Sequence, residues 1–234
     1  AHMRTIGLIA GMSWESSAEY YRILNEEVAR RLGGLHSAKI VMISIDFARL
    51  EAQQTGNRWD EAAADLVQVA RQLEGAGAEC VLICANTMHI AAPAVQAAVG
   101  IPLLHIADAT GERARAAGLS KVALLGTRYT MEQGFLKDRL RERFGLEVLI
   151  PGKAERDLIH RVIYEELVLG KILPESKAAY LRIIDDLVAQ GAKGVILGCT
   201  EIGLLIQQPD RPDIPLYDTV RVHAEAAVDW ALRE

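Results

Sequence analysis

Two stretches decide the reading of this chain: "LEGAGAECVLICANT" at 73–87 and "LVAQGAKGVILGCTE" at 187–201. They align without a gap at an offset of 114, which lays Gly77 on Gly191 and Ala78 on Ala192. Each reads as a helix end, a glycine break, and a short apolar strand that runs into a polar loop. An amphipathic segment precedes each, "LVQVARQ" before the first and "LRIIDDL" before the second.

Working outward, the first half offers strand candidates at "RTIGLIAG" (4–11), "AKIVMISIDF" (38–47), "ECVLICAN" (79–86) and "IPLLHIAD" (101–108). Helical patterns lie between them, at 15–32 and at 58–75, where Ala62, Leu66, Val69 and Leu73 recur at helical spacing. The same order returns in "KVALLGT" (121–127), "LEVLIPG" (146–152), "GVILGCTE" (194–201) and "DIPLYDT" (213–219). Four matches in order indicate a duplication. Alternating strands and helices predict an α/β fold of two pseudo-symmetric units, each with a mainly parallel four-stranded sheet flanked by helices. In such sheets ligands bind at the carboxyl ends of the strands, so the expected site is a cleft between the units. The final segment "YDTVRVHAEAAVDWALRE" reads as an amphipathic helix packing back on the first half. The expected domains are therefore 3–107 with 218–234, and 108–217.

The bulk numbers narrow the function. The chain has 234 residues, half of them hydrophobic, enough for a sizeable core. A net charge of −5 with no basic block argues against nucleic acid or an anionic membrane as partner. No apolar run reaches the roughly 18 residues of a membrane helix. No signal-peptide pattern is present, and Ala1-His2 before Met3 reads as a vector remnant. Three cysteines, Cys80, Cys84 and Cys199, make a disulfide framework improbable and fit a reducing cytoplasm. No histidine spacing suggests a metal.

The gapless register also tells which residues correspond. Cys84 falls on Gly198, and Ala85 falls on Cys199. Neighbours on a strand point to opposite faces. If Cys199 points into the site, Ala85 does too, and Cys84 is packed away. Cys80 belongs in the core, as buried free cysteines commonly do. Cys199 sits before Thr200-Glu201, where a following helix N-terminus is expected to lower the thiol pKa.

The strings "GLIAGMSWESS" (7–17), "ANTMH" (85–89), "LLGTRYTMEQ" (124–133) and "GCTEIGLL" (198–205) resemble the aspartate/glutamate racemase family over essentially the whole chain. "GMSWES", "RLGGLHSA" and "LHIADATG" bring it nearest the L-aspartate/glutamate-specific branch. The resemblance implies an enzyme free of pyridoxal phosphate and of metal, a homodimer, and a small amino-acid substrate. In the wider family a cysteine opens the first motif, and two cysteines work on opposite faces of the substrate; in the nearer branch that first cysteine is typically threonine. Here the position holds Ala85, either the natural residue or a replacement that impairs the enzyme.

Racemisation takes the Cα proton from one face and returns one to the other. A thiol suits this task, and the enolate-like carboxylate that develops needs preorganised donors. The loops at Asn86-Thr87 and Thr200-Glu201 offer backbone N–H groups and side chains for it, although such residues also serve as ordinary helix caps. Met12 and Ser13 follow the first strand and are expected to line the cleft. Thr127 and Thr130 hold the matching edge of the second half, Thr130 being the better candidate. Glu165 and Glu166 follow "RVIY" on a helix, to meet a substrate ammonium or to form a solvated acidic face. The family resemblance favours Gln54 over Gln53 as a substrate contact. Arg49 and Arg58 are the arginines at hand for a distal carboxylate, with no motif behind either. His89, two residues after Thr87 and in the first helical turn, reads as a structural residue or one that supports the site from behind, and His105 and His223 as core or cap histidines. With one sulfur left, two other readings stand beside the racemase: a one-cysteine decarboxylase of the arylmalonate type, and a non-catalytic amino-acid-binding protein.

Overall fold

The computed structural model describes residues 2–234. The chain divides into two compact units, the first running to Ile106 and taking up His223–Glu234, the second Ala107–Val222. The first half contains β1 (Ile6–Ala10), α1 (Trp14–Leu32), β2 (Ile40–Ser44), α2 (Phe47–Thr55), α3 (Trp59–Gly75), β3 (Cys80–Ile83), a 3-10 turn at Thr87–Ala91 and α4 (Ala92–Ala98). Next come α5 (Ile106–Ala116), β4 (Lys121–Gly126), α6 (Arg128–Glu132), α7 (Gly134–Phe144), β5 (Glu147–Leu149) and α8 (Lys153–Glu165). The chain closes with α9 (Pro174–Ala189), β6 (Val195–Gly198), α10 (Ile202–Leu205), β7 (Leu216–Asp218) and α11 (Thr219–Leu232). No helix is long and apolar enough to cross a membrane among the described residues.

Both sheets are parallel, in the orders β2-β1-β3 and β5-β4-β6-β7. β1 and β3 are buried along their whole length, which is why they read as unbroken apolar runs rather than alternating ones.

The repeat predicted from sequence is present at the level of single contacts. On α3 the buried positions are Ala62, Leu66, Val69, Ala70 and Leu73. On α9 they are Ser176, Tyr180, Ile183, Ile184 and Leu187, each 114 residues further on. Burying one such aliphatic side chain stabilises a unit by about 1.5–3 kcal/mol. Both helices stop in the same way. Gly77 has φ +95° and Gly191 φ +108°, a left-handed conformation a side chain would strain. The Ala78 N–H then donates back to Leu73 O (3.0 Å) and the Ala192 N–H to Leu187 O (3.1 Å). The next N–H groups join the following strand to its neighbour, Glu79 to Thr5 O and Lys193 to Lys121 O.

The expectation of a fourth strand at 101–108 fails. There the first sheet keeps only a single bridge, Leu103 to Val81. Val81 N–H donates to Pro102 O and Leu104 N–H to Val81 O, both at 2.9 Å. In the second unit the matching pairing continues through Ile196–Tyr217 and Leu197–Asp218. In the first it ends because α5 begins at Ile106, whose N–H donates to His89 instead of to a strand. The closing helix α11 returns to the first unit, where Ala231 O accepts from Arg4 N–H (3.0 Å) and Trp230 O from the Arg4 guanidinium (2.7 Å).

Candidate active site

The carboxyl end of β3 gathers the candidate residues of the first unit. Val81, Ile83 and Ala85 belong to one apolar cluster with Met12, Leu50 and Met88. Cys80, Leu82 and Cys84 alternate away from it. Cys84 is fully buried and its N–H donates to Ile9 O (3.0 Å). Burial holds the Cys84 thiol far above its ordinary value, and pushes Cys80 up to about 12. Both are inert core cysteines. Met12 and Ala85 therefore share a face, and Gln54 joins them: it is buried and its Nε2 lies 3.3 Å from Met88 Sδ. Gln53, equally buried, turns to α3 and donates to Asp65 (2.9 Å). Arg49 is spent on the same Asp65, and Arg58 lies near Glu61 at 3.2 Å, both on the surface. After Ala85 the backbone tightens into the 3-10 turn, with His89 N–H on Asn86 O (3.0 Å). Asn86 and Thr87 are buried within it.

The second unit repeats the plan. Val195 and Leu197 face the core cluster of the second unit, and Cys199, half-buried, packs against it. This is the face that Val81, Ile83 and Ala85 occupy in the first. Thr127 starts α6 and its Oγ1 caps the Thr130 N–H at 3.3 Å. Thr130 is fully buried, with its methyl against Gly126 and Gly198. A Cβ on Gly198 would sit only 2.7 Å from Leu125 O, so the residue before Cys199 has to be glycine for β6 to lie this close to β4. Thr200 and Glu201 follow, both buried, with Thr200 Oγ1 3.4 Å from Glu201 Oε1.

The expected lowering of the Cys199 pKa is corrected. Burial pushes this thiol up to about 12, and the Glu201 carboxylate adds to the rise. Backbone N–H groups of Glu201 and Ile202 pull the other way, as a helix start should, but α10 has four residues and its pull is the weaker. Glu166 is not on a solvated face. It is buried at the end of α8, accepting from Ser176 Oγ at 2.6 Å, with Arg161 at 3.5 Å; Glu165 beside it is exposed. Tyr180 lies within electrostatic reach of both Cys199 and Glu166, while its hydroxyl donates to Ile159 O at 2.8 Å. The sequence reading overlooked Tyr180. The signal was there, since the repeat puts this hydroxyl where the first unit has Leu66. Met88, the partner of Gln54, was also overlooked, for an unbranched apolar residue in a loop carries no mark of its role. Among the described residues, no group of three or more His, Cys, Asp or Glu side chains is placed to hold a metal ion.

Two α/β units with matched strand ends, one carrying a half-buried thiol, define a duplicated α/β protein. The chain belongs to the Asp/Glu/hydantoin racemase family, whose model matches residues 9–227. It is 51% identical to a candidate Asp/Glu racemase from Yersinia pestis, covering 99% of this chain and 100% of that one with a TM-score of 0.91. An aspartate racemase homologue from Pyrococcus horikoshii is 34% identical over 99% and 100% of the two chains, with a TM-score of 0.83. A glutamate racemase from Francisella tularensis, solved with D-glutamate, shares the fold at 17% identity over 97% of this chain and 80% of that one, with a TM-score of 0.66.

Proposed function

We propose that the chain is a pyridoxal-phosphate-independent amino-acid racemase of the L-aspartate/L-glutamate type, in which Cys199 is the remaining thiol acid/base. The observation that carries this reading is the correspondence of residues 85 and 199, which hold the same position at equivalent strand ends, each against the core of its own unit. Each unit carries one such position, and racemisation needs one acid/base for each face of the substrate Cα.

At neutral pH the raised pKa keeps Cys199 protonated before substrate arrives. The substrate ammonium brings positive charge beside the sulfur, which lets the thiol give up its proton to solvent and become the thiolate. The thiolate takes the Cα proton and becomes the thiol, and the electron pair passes into the carboxylate. That carboxylate is held by N–H and hydroxyl groups of Asn86, Thr87, Thr200 and Glu201, which strengthen their hold as charge develops. Met12, Gln54 and Thr130 shape the substrate pocket. Glu166 acts on the substrate ammonium indirectly, as a fixed negative charge behind Tyr180. The enzyme works in the cytoplasm as a homodimer.

The methyl of Ala85 has no exchangeable proton. The thiol at 199 can return its proton only to the face it came from, so racemisation by this chain is weak. Substituting Ala85→Thr or Ala85→Cys supplies the second acid/base, and racemisation of aspartate or glutamate, read by chiral chromatography, should rise by roughly the 10²–10⁴-fold typical of a positioned acid/base. Variants that bind either amino acid but never racemise it would refute the reading.

A further inference from the structure

The residue-85 loop rests on a buried cluster that the proposed chemistry does not use. A regular α-helix would satisfy Ala85 O with the N–H of residue 89. Here the turn is 3-10, and that N–H goes to Asn86 O. The His89 side chain fills the place: its Nδ1 lies 2.6 Å from Ala85 O, so Nδ1 carries the proton and donates it. Its Nε2 accepts from the Ile106 N–H (3.2 Å), which fixes the ring as neutral in one tautomer.

Ile106 is where the chain leaves its first unit, and His223 is where it returns. These two crossings are tied together. His223 Nε2–H donates to Leu104 O at 2.7 Å, and the Tyr20 hydroxyl donates to His223 Nδ1 at 2.6 Å. The His89 ring lies 4.4 Å from that of His105 and 5.9 Å from that of His223, centroid to centroid. Histidines 89, 105 and 223 are all buried. One backbone carbonyl beside residue 85 is thus linked through a single ring to the segment 104–106, which the second imidazole also holds, at Leu104 O.

We propose that His89 is a positioning residue: its Nδ1–H orients the peptide after Ala85, and with it the side chain of residue 85 and the amides of Asn86 and Thr87, against the fixed segment 104–106. The inference rests on the racemase reading. A peptide that turns here carries both the opposing acid/base position and the anion donors with it, and misplacement of about 1 Å in such groups costs up to about a hundredfold in rate.

The test uses the Ala85→Cys protein as the active parent. His89→Ala should lower kcat roughly tenfold or more, with KM changed by less than about threefold. His89→Asn, whose amide reaches the Nδ1 position, should restore most of that loss. His89→Gln, whose amide reaches the Nε2 position, should not. Equal kcat in the Asn and Gln variants, or losses that follow only their melting temperatures, would overturn the proposal. A parent that does not racemise would refute the racemase reading instead. The His89 proposal is then decided by NMR on the unmodified chain: the Ala85 carbonyl and the Asn86 and Thr87 amide shifts should move in His89→Gln and stay in His89→Asn. No movement in either variant, or a His89 ring protonated on Nε2 at neutral pH, would sink it.

Discussion

Acid should unfold this protein partly through His223. The ring is fully buried, and both nitrogens are committed while it is neutral: Nε2–H to Leu104 O, Nδ1 to the Tyr20 hydroxyl. Protonation puts a charge into this site and sets a second donor against the Tyr20 O–H. Burial accordingly lowers the His223 pKa from 6.5 to about 4. The folded value lies below the unfolded one, so the unfolded chain takes up the proton first as the pH falls. The stability this histidine contributes is present in full above pH 6.5 and is lost as the pH drops through about 4. The shift corresponds to roughly 3 kcal/mol in the acid limit and about 2 kcal/mol at about pH 5. The perturbation is His223→Gln, which keeps a donor and an acceptor but cannot titrate. The assay is urea unfolding of both proteins at about pH 7.5 and about pH 5, where carboxylates common to both cancel in the difference. Between these values the unmodified protein should lose about 2 kcal/mol more than the variant. Equal losses would show that the buried neutral histidine does not govern acid sensitivity.

Other perturbations have defined outcomes. Gly198→Ala drives a methyl into Leu125 O and should destabilise the second unit by about 1–3 kcal/mol in urea unfolding; an unchanged midpoint would contradict the close approach of β6 and β4. Gly77→Ala strains a backbone at φ +95° and should cost about 1–2 kcal/mol in the same assay, where a neutral or stabilised variant would contradict the left-handed helix stop. With the Cys199 thiol up at about 12, its alkylation by iodoacetamide should quicken about tenfold per pH unit between about pH 7 and 10, followed by mass spectrometry. A plateau in that range would mean a thiol of ordinary acidity, and modification of Cys80 or Cys84 in the folded protein would contradict their burial.

How much of this was legible in the sequence follows from the range of the interactions. The helix stops at Gly77 and Gly191, and the opposed faces of Cys84 and Ala85, are local consequences of backbone period and glycine chemistry. They show in a single string laid over another. The missing fourth strand of the first sheet was hidden, because "IPLLHIAD" has the composition of a strand and what ends it is a hydrogen bond from Ile106 to His89. The Cys199 pKa was misjudged for a similar reason. A helix start can be read from neighbouring residues, but the desolvation that overrides it comes from Tyr180 and the core of the second unit, packed from elsewhere in the chain. The histidine cluster is the extreme case: Tyr20 and His223 meet across most of the sequence, and nothing in either segment announces the other.

The most direct test of the central claim is α-proton exchange in D2O. Each enantiomer of aspartate and glutamate is incubated with the unmodified protein, and deuterium at Cα is followed together with configuration. A lone sulfur predicts that one enantiomer gains deuterium with its configuration kept, that the mirror form exchanges little, and that Cys199→Ser stops both. Fast, complete racemisation of both enantiomers by the protein with Ala85 in place would contradict it.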